Sequence, residues 1–196
     1  STAISSSFAP RIYEYELSGK KEKVNDLFLF VGALQLFLLF LIVGGFASCG
    51  KEFITLWLGE SKIESYYVAI PIMAVAIVPL SQNISIEVQR ARKKHKFRAF
   101  AYLIIAAVNV GLSILLCYFM GMMGCVIGTV VSLLVGQYIC INIYNQKVIE
   151  LPIKKYWVLY LRFLLPAIVS YAGAFCLDFI KTIFHSTFLL FLAKGS

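Results

Sequence analysis

The sequence predicts an all-α, polytopic transmembrane helical bundle of about five full spans, with partial helices at both ends. Three observations carry that prediction. Of 196 residues, 60% are hydrophobic and only 14% charged, too little charge to cover a soluble domain of this size. Several apolar segments approach the roughly 20 residues a helix needs to cross a bilayer. The positive charges fall in clusters between those segments. The densest cluster, Arg90 to Arg98, holds Arg90, Arg92, Lys93, Lys94, Lys96 and Arg98. At roughly 2.5 kcal/mol each, six such residues at a bilayer centre would cost about 15 kcal/mol. Flanking Leu, Ile, Val and Phe, at about 0.3–0.6 kcal/mol apiece, do not offset that. The cluster therefore lies outside the hydrocarbon, and by the positive-inside rule it belongs in the cytoplasm.

Taken in order, Ser1–Pro10 is small and weakly polar and reads as the tail of a preceding helix. Arg11–Asp26 is polar and cytoplasmic. Leu27–Ala47 is the first span, helix A, loosened at its far end by Gly44 and Gly45. Gly50–Ser65 is external; its piece Phe53–Gly59 is too short to span, and Trp57, Tyr66 and Tyr67 fit an interfacial aromatic belt. Helix B runs from about Tyr66 to Val88, interrupted by Pro71 and Pro79, which tend to kink a membrane helix. Its polar end (Ser81, Gln82, Asn83, Ser85, Glu87, Gln89) should face a cavity or partner helices rather than lipid. Helix C, about Ala99 to Phe119, and helix D, about Cys125 to Tyr144, form a hairpin about the tight turn Gly121–Gly124. Gly124, Gly128, Ser132 and Gly136 recur every fourth residue and make a small-residue face for close packing. Asn145–Trp157 is polar, helix E runs from about Val158 to Phe179, and Thr187–Ala193 begins a helix F. With this layout fourteen Lys/Arg lie inside and three outside.

The ends bear on domain organisation. No charged region followed by an apolar core opens the chain. The sequence is expected to be one helical bundle, residues 1–196, of a longer protein. The net charge of +8 sits in short loops, so leaflet orientation explains it better than nucleic acid.

Little in the pattern suggests catalysis. Carboxylates are sparse and no charge is read as buried in the helices. The five cysteines form no Cys-x-x-Cys pair, so packing is their expected role, with no metal or cofactor. The polar residues inside the spans are Gln35, Asn109, Gln137 and Asn142, with Gln82 and Asn83 nearer an edge. Hydrogen bonding between helices is their ordinary role. The functional alternative is a hydrated path for sugars, whose hydroxyls suit amides that both donate and accept.

The residues also resemble a family. Phe53–Gly59, Ile70–Ala74, Val78–Ile84, Gln89–Arg98 with Asn109–Ser113, Gly124–Thr129 and Asn142–Tyr144 are similar, in order and spacing, to bacterial polysaccharide and O-antigen repeat-unit flippases. These belong to the multidrug/oligosaccharidyl-lipid/polysaccharide exporter superfamily. The likeness runs from roughly Pro10 to Trp157. It implies the carboxy-terminal half of a two-bundle transporter in the bacterial inner (cytoplasmic) membrane. That transporter moves undecaprenyl-pyrophosphate-linked repeat units outward by alternating access, for lipopolysaccharide or capsule. The implied partners are the lipid-linked oligosaccharide, membrane lipids, the amino-terminal bundle and the polysaccharide polymerase machinery. The substrate-binding candidates are Arg90, Arg92 and Arg98 for the pyrophosphate, and Gln35, Gln82, Asn83 and Asn109 for the glycan. Two alternatives remain: a drug/cation antiporter of the same superfamily, marked by an intramembrane Asp or Glu in the other half, and a membrane-embedded glycosyltransferase or polymerase.

Overall fold

The computed structural model describes residues 2–94 and 96–169. Among them no strand occurs, and nearly every residue is helical. Two short helices come first, α1 (Thr2–Ser7) and α2 (Ala9–Leu17). The long α3 (Lys21–Leu58) follows, then a 3-10 turn (Glu60–Lys62) and α4 (Glu64–Ser81). After α5 (Ile84–Ala91) come α6 (Lys96–Met120) and α7 (Met122–Leu133). A π-helical segment (Leu134–Ile141) carries α7 into α8 (Asn142–Lys147). A last helix, α9, covers 153–169.

Among the described residues four helices are long and apolar enough to cross a membrane: Lys21–Leu58, Glu64–Ala91 with its internal break, Lys96–Met120 and Met122–Lys147. They correspond to the predicted helices A to D. Of helix E only the part up to 169 is described, and the rest of it and helix F lie outside the described residues.

Helix A is longer than expected. The sequence predicts an end at Ala47, but α3 continues to Leu58 and stops at Gly59, whose φ of 86° suits glycine. At 1.5 Å per residue its 38 residues extend about 57 Å. Two glycines cost about 1 kcal/mol each relative to alanine, less than opening the backbone ladder in hydrocarbon. Ser48 Oγ donates to the Gly44 carbonyl at 3.0 Å. Farther along, Tyr66 donates its hydroxyl to the Ala47 carbonyl at 2.7 Å, and its ring lies against Gly50. Tyr66, predicted as an interfacial marker, is therefore a buried packing residue.

Helix B also differs. It breaks not at Pro71 but after Pro79, at Gln82–Asn83. Pro79 has no N–H for the Val75 carbonyl four residues back. The Tyr138 hydroxyl of the π segment donates there instead, at 3.3 Å.

The small-residue ladder packs as predicted, and α6 is its partner. A Cβ on Gly128 would fall 2.9 Å from Ser113 Cα, and one on Gly136 would fall 2.9 Å from Ile105 Cγ2. The outer face of α6 stays exposed through Phe100, Leu103, Ile114 and Phe119, as a lipid-facing helix requires. The apolar core lies at the basic end of the bundle, where Ile12, Phe28, Val78, Ile84, Ile149 and Tyr156 meet. Tyr156, from the stretch predicted to be polar, is at the centre of that core.

Candidate functional site

The break after Pro79 turns α5 so that Asn83, Glu87 and Arg90 recur at helical spacing along one face. The short helix α1 lies across that face with its hydroxyls. Between them is a groove of about 440 Å³ lined by Thr2, Ser5, Ser6, Asn83, Glu87 and Arg90. Gln35, buried in α3, donates from Nε2 to Ser5 Oγ at 2.9 Å and so supports the groove from beneath. Arg90 Nη1 donates to Glu87 Oε1 at 2.9 Å. The carboxylate side chain is 12% exposed and the guanidinium 57%, so the pair keeps its acid inside and turns its cation outward. A second cavity of about 490 Å³, lined mainly by Phe37, Phe40, Leu41, Phe163 and Pro166, takes in none of the predicted site residues.

Of the seven predicted residues, the groove thus gathers Asn83 and Arg90, with Gln35 one hydrogen bond away. Gln82 is fully buried behind it, beside Tyr156. Neither of its amide atoms has a hydrogen-bond partner of normal geometry among the described residues. Tyr156 and Ser81 share a 2.5 Å hydrogen bond next to it. Gln89 Nε2 donates to Asn145 Oδ1 at 2.6 Å, while Gln89 Oε1 and Asn145 Nδ2 are unpaired among the described residues. Buried amide atoms left this way are ones that water or a ligand's hydroxyls satisfy. Helix B's polar end is therefore buried, as its composition predicts.

Arg92, Arg98 and Asn109 stand elsewhere. Arg92 donates from Nε to Glu16 Oε1 at 2.8 Å and from Nη1 to the Ile149 carbonyl. It clamps α2 and the 148–152 loop onto the end of α5. Arg98 is 6% exposed. Its Nη1 donates to Ser85 Oγ at 3.1 Å and its Nη2 to the Tyr102 hydroxyl at 2.9 Å. Tyr102 in turn donates to Gln137 Oε1 at 2.6 Å. Arg98 and Glu87 correct the expectation that these helices bury no charge. Asn109 accepts from Ser113 Oγ at 3.0 Å within α6.

Sequence reasoning missed Glu87 and the α1 hydroxyls as groove residues. Glu87 was legible as an i, i+3 partner of Arg90. Thr2, Ser5 and Ser6 carried no such signal, because only the fold returns α1 to α5. In the 148–152 loop the Lys21 ammonium bonds Glu150 at 2.9 Å and holds its carboxyl below the usual range. No protein-family model, curated protein or solved structure matches the chain.

Proposed function

We propose that this chain is the carboxy-terminal bundle of a membrane transporter that carries lipid-linked oligosaccharide repeat units from the inner to the outer leaflet of a bacterial inner membrane. The observation that carries the reading is the groove at the basic end. It combines three hydroxyls, the Asn83 amide and an outward-turned guanidinium, at the edge of helices apolar enough to cross a membrane. Hydroxyl and amide groups suit a glycan, and the Arg90 fork suits phosphate oxygens in pairs. The basic end faces the cytoplasm, where such a substrate would be captured. The resemblance of Gln89–Arg98 and its neighbours to polysaccharide-unit flippases supports the same reading. The buried Glu87 is already paired with Arg90, and the carboxylate that would mark a cation antiporter belongs to the other half.

The test is surface polysaccharide in a strain lacking its own flippase, supplied with the full-length protein. Arg90→Lys keeps the charge but loses the planar fork, and Asn83→Ala removes the groove amide. Each variant should reduce surface polysaccharide several-fold at unchanged protein level and orientation. Undiminished export by both variants would overturn the assignment of the groove.

A further inference from the structure

The hairpin of α6 and α7 turns on a single residue, Gly121, whose φ is 61°. Cys117 and Cys125 stand four residues to either side of it, about 6 Å along each helix. The two helices approach here as closely as backbone allows. A Cβ on Gly124 would fall 2.8 Å from the Cys117 backbone nitrogen, so only glycine fits beside that turn of α6. Cys125 lies over the same turn. Its carbonyl accepts from Ser113 Oγ at 3.5 Å, and its Sγ lies 3.8 Å from the Ser113 carbonyl. Side chains on α6 lean toward that helix's N-terminus, which brings Cys117 back toward the level of Ser113. Cys125 Sγ thus lies against the turn of α6 that carries Cys117, and both thiols are free. Cys117 is exposed and Cys125 partly so, about one turn from the tip of the hairpin.

We infer that Cys117 and Cys125 are joined by a disulfide that staples the tip of the α6–α7 hairpin. The turn lies at the end opposite the basic cluster. With the orientation proposed above it faces the outer compartment, where disulfides persist. The oxidant is a disulfide-carrying thiol oxidase or a small-molecule disulfide of that compartment. The more exposed Cys117 loses its proton, and its thiolate attacks one oxidant sulfur, expelling the other as thiolate. Cys125, deprotonated in turn, attacks the Cys117 sulfur of the mixed disulfide and releases the second oxidant thiolate. Two electrons pass from the chain to the oxidant, and two protons leave.

The test uses the protein in intact cells, with thiols trapped by acid and N-ethylmaleimide before lysis. Cyanogen bromide cuts after Met120, between the two cysteines. The fragments carrying Cys117 and Cys125 should stay joined until reduced, and neither cysteine should carry the label. In Cys117→Ser, Cys125 should be labelled without reduction. Labelling of both cysteines in the unreduced wild type would overturn the inference. If dipyridyl disulfide then joined them in isolated membranes, the orientation of the hairpin would be at fault; if it did not, the juxtaposition would be.

Discussion

Arg98 carries a charge that cannot be lost, is almost wholly buried, and has no carboxylate within ion-pair distance among the described residues. Hydrogen bonds and a ring hold it instead. Ser85 and Tyr102 accept from two of its nitrogens, and the guanidinium lies 5.0 Å from the centre of the Tyr102 ring. Tyr102 is the pivot, because its proton goes on to Gln137 in the π segment. Tyr102→Phe keeps the ring and removes the relay. Gln137 Oε1 would then lose its donor, beside an Nε2 that already has no acceptor among the described residues. A buried acceptor left unmade costs about 1–3 kcal/mol, so thermal unfolding in detergent should shift down by that amount. An unchanged transition would mean that the relay contributes nothing. The Arg98–Tyr102 pair was legible as an i, i+4 spacing. Gln137 was not, because its facing depends on a π segment that periodicity does not reveal.

At the scale of elements, the α6–α7 hairpin is the feature that composition predicted best. Gly124, Gly128, Ser132 and Gly136 are all buried, and α6 fills the space their missing side chains leave. The contact at Gly128 is with backbone, 2.9 Å from Ser113 Cα, which cannot swing aside as a flexible side chain would. Even one methyl group should therefore overpack the interface. Gly128→Ala should cost about 1–3 kcal/mol of stability in detergent. Gly45→Ala serves as the control, since nothing lies within 4 Å of that position. Equal melting of the two variants would mean that the hairpin is looser than its geometry. The breaks were less legible than the packing. Gly44–Gly45 suggested a loosened end and Pro71 a kink, yet both lie inside continuous helix. Membrane helices keep their ladder because hydrocarbon offers no other partner, and tertiary donors such as Tyr138 repair it where proline opens it.

At the scale of the molecule, the helices were legible because hydropathy and charge clustering report directly on solvent. The groove was only half legible: Asn83, Arg90 and Gln35 stand out as polar residues near apolar runs, whereas Thr2, Ser5 and Ser6 join them only through the fold. The same charge clustering predicts an orientation. Between Asp26 and Lys51, α3 runs 24 residues without a charge, about 36 Å, slightly more than the roughly 30 Å of bilayer hydrocarbon. Its charged ends, Lys21–Asp26 and Lys51–Glu52, should thus emerge on opposite sides. Ser18 lies just before one end, and Ser61 lies in the 3-10 turn just beyond the other. Gln146 is in α8, back at the end that holds Arg92 and Lys94, whose side chains reach the carbonyls of Ile149 and Val148. With fourteen Lys/Arg at one end against two, Lys51 and Lys62, at the other among the described residues, the basic end should stay in the cytoplasm. Single cysteines replacing Ser18 or Gln146, in a cysteine-free version of the full-length protein, should react with an impermeant maleimide only after cells are opened. One replacing Ser61 should react in intact cells. Labelling of Ser18 and Ser61 positions from the same side would mean that α3 does not cross, however apolar its centre. Labelling of all three positions in the reverse pattern would keep the spans but place the groove on the outer face, away from where a cytoplasmic lipid-linked glycan could enter it.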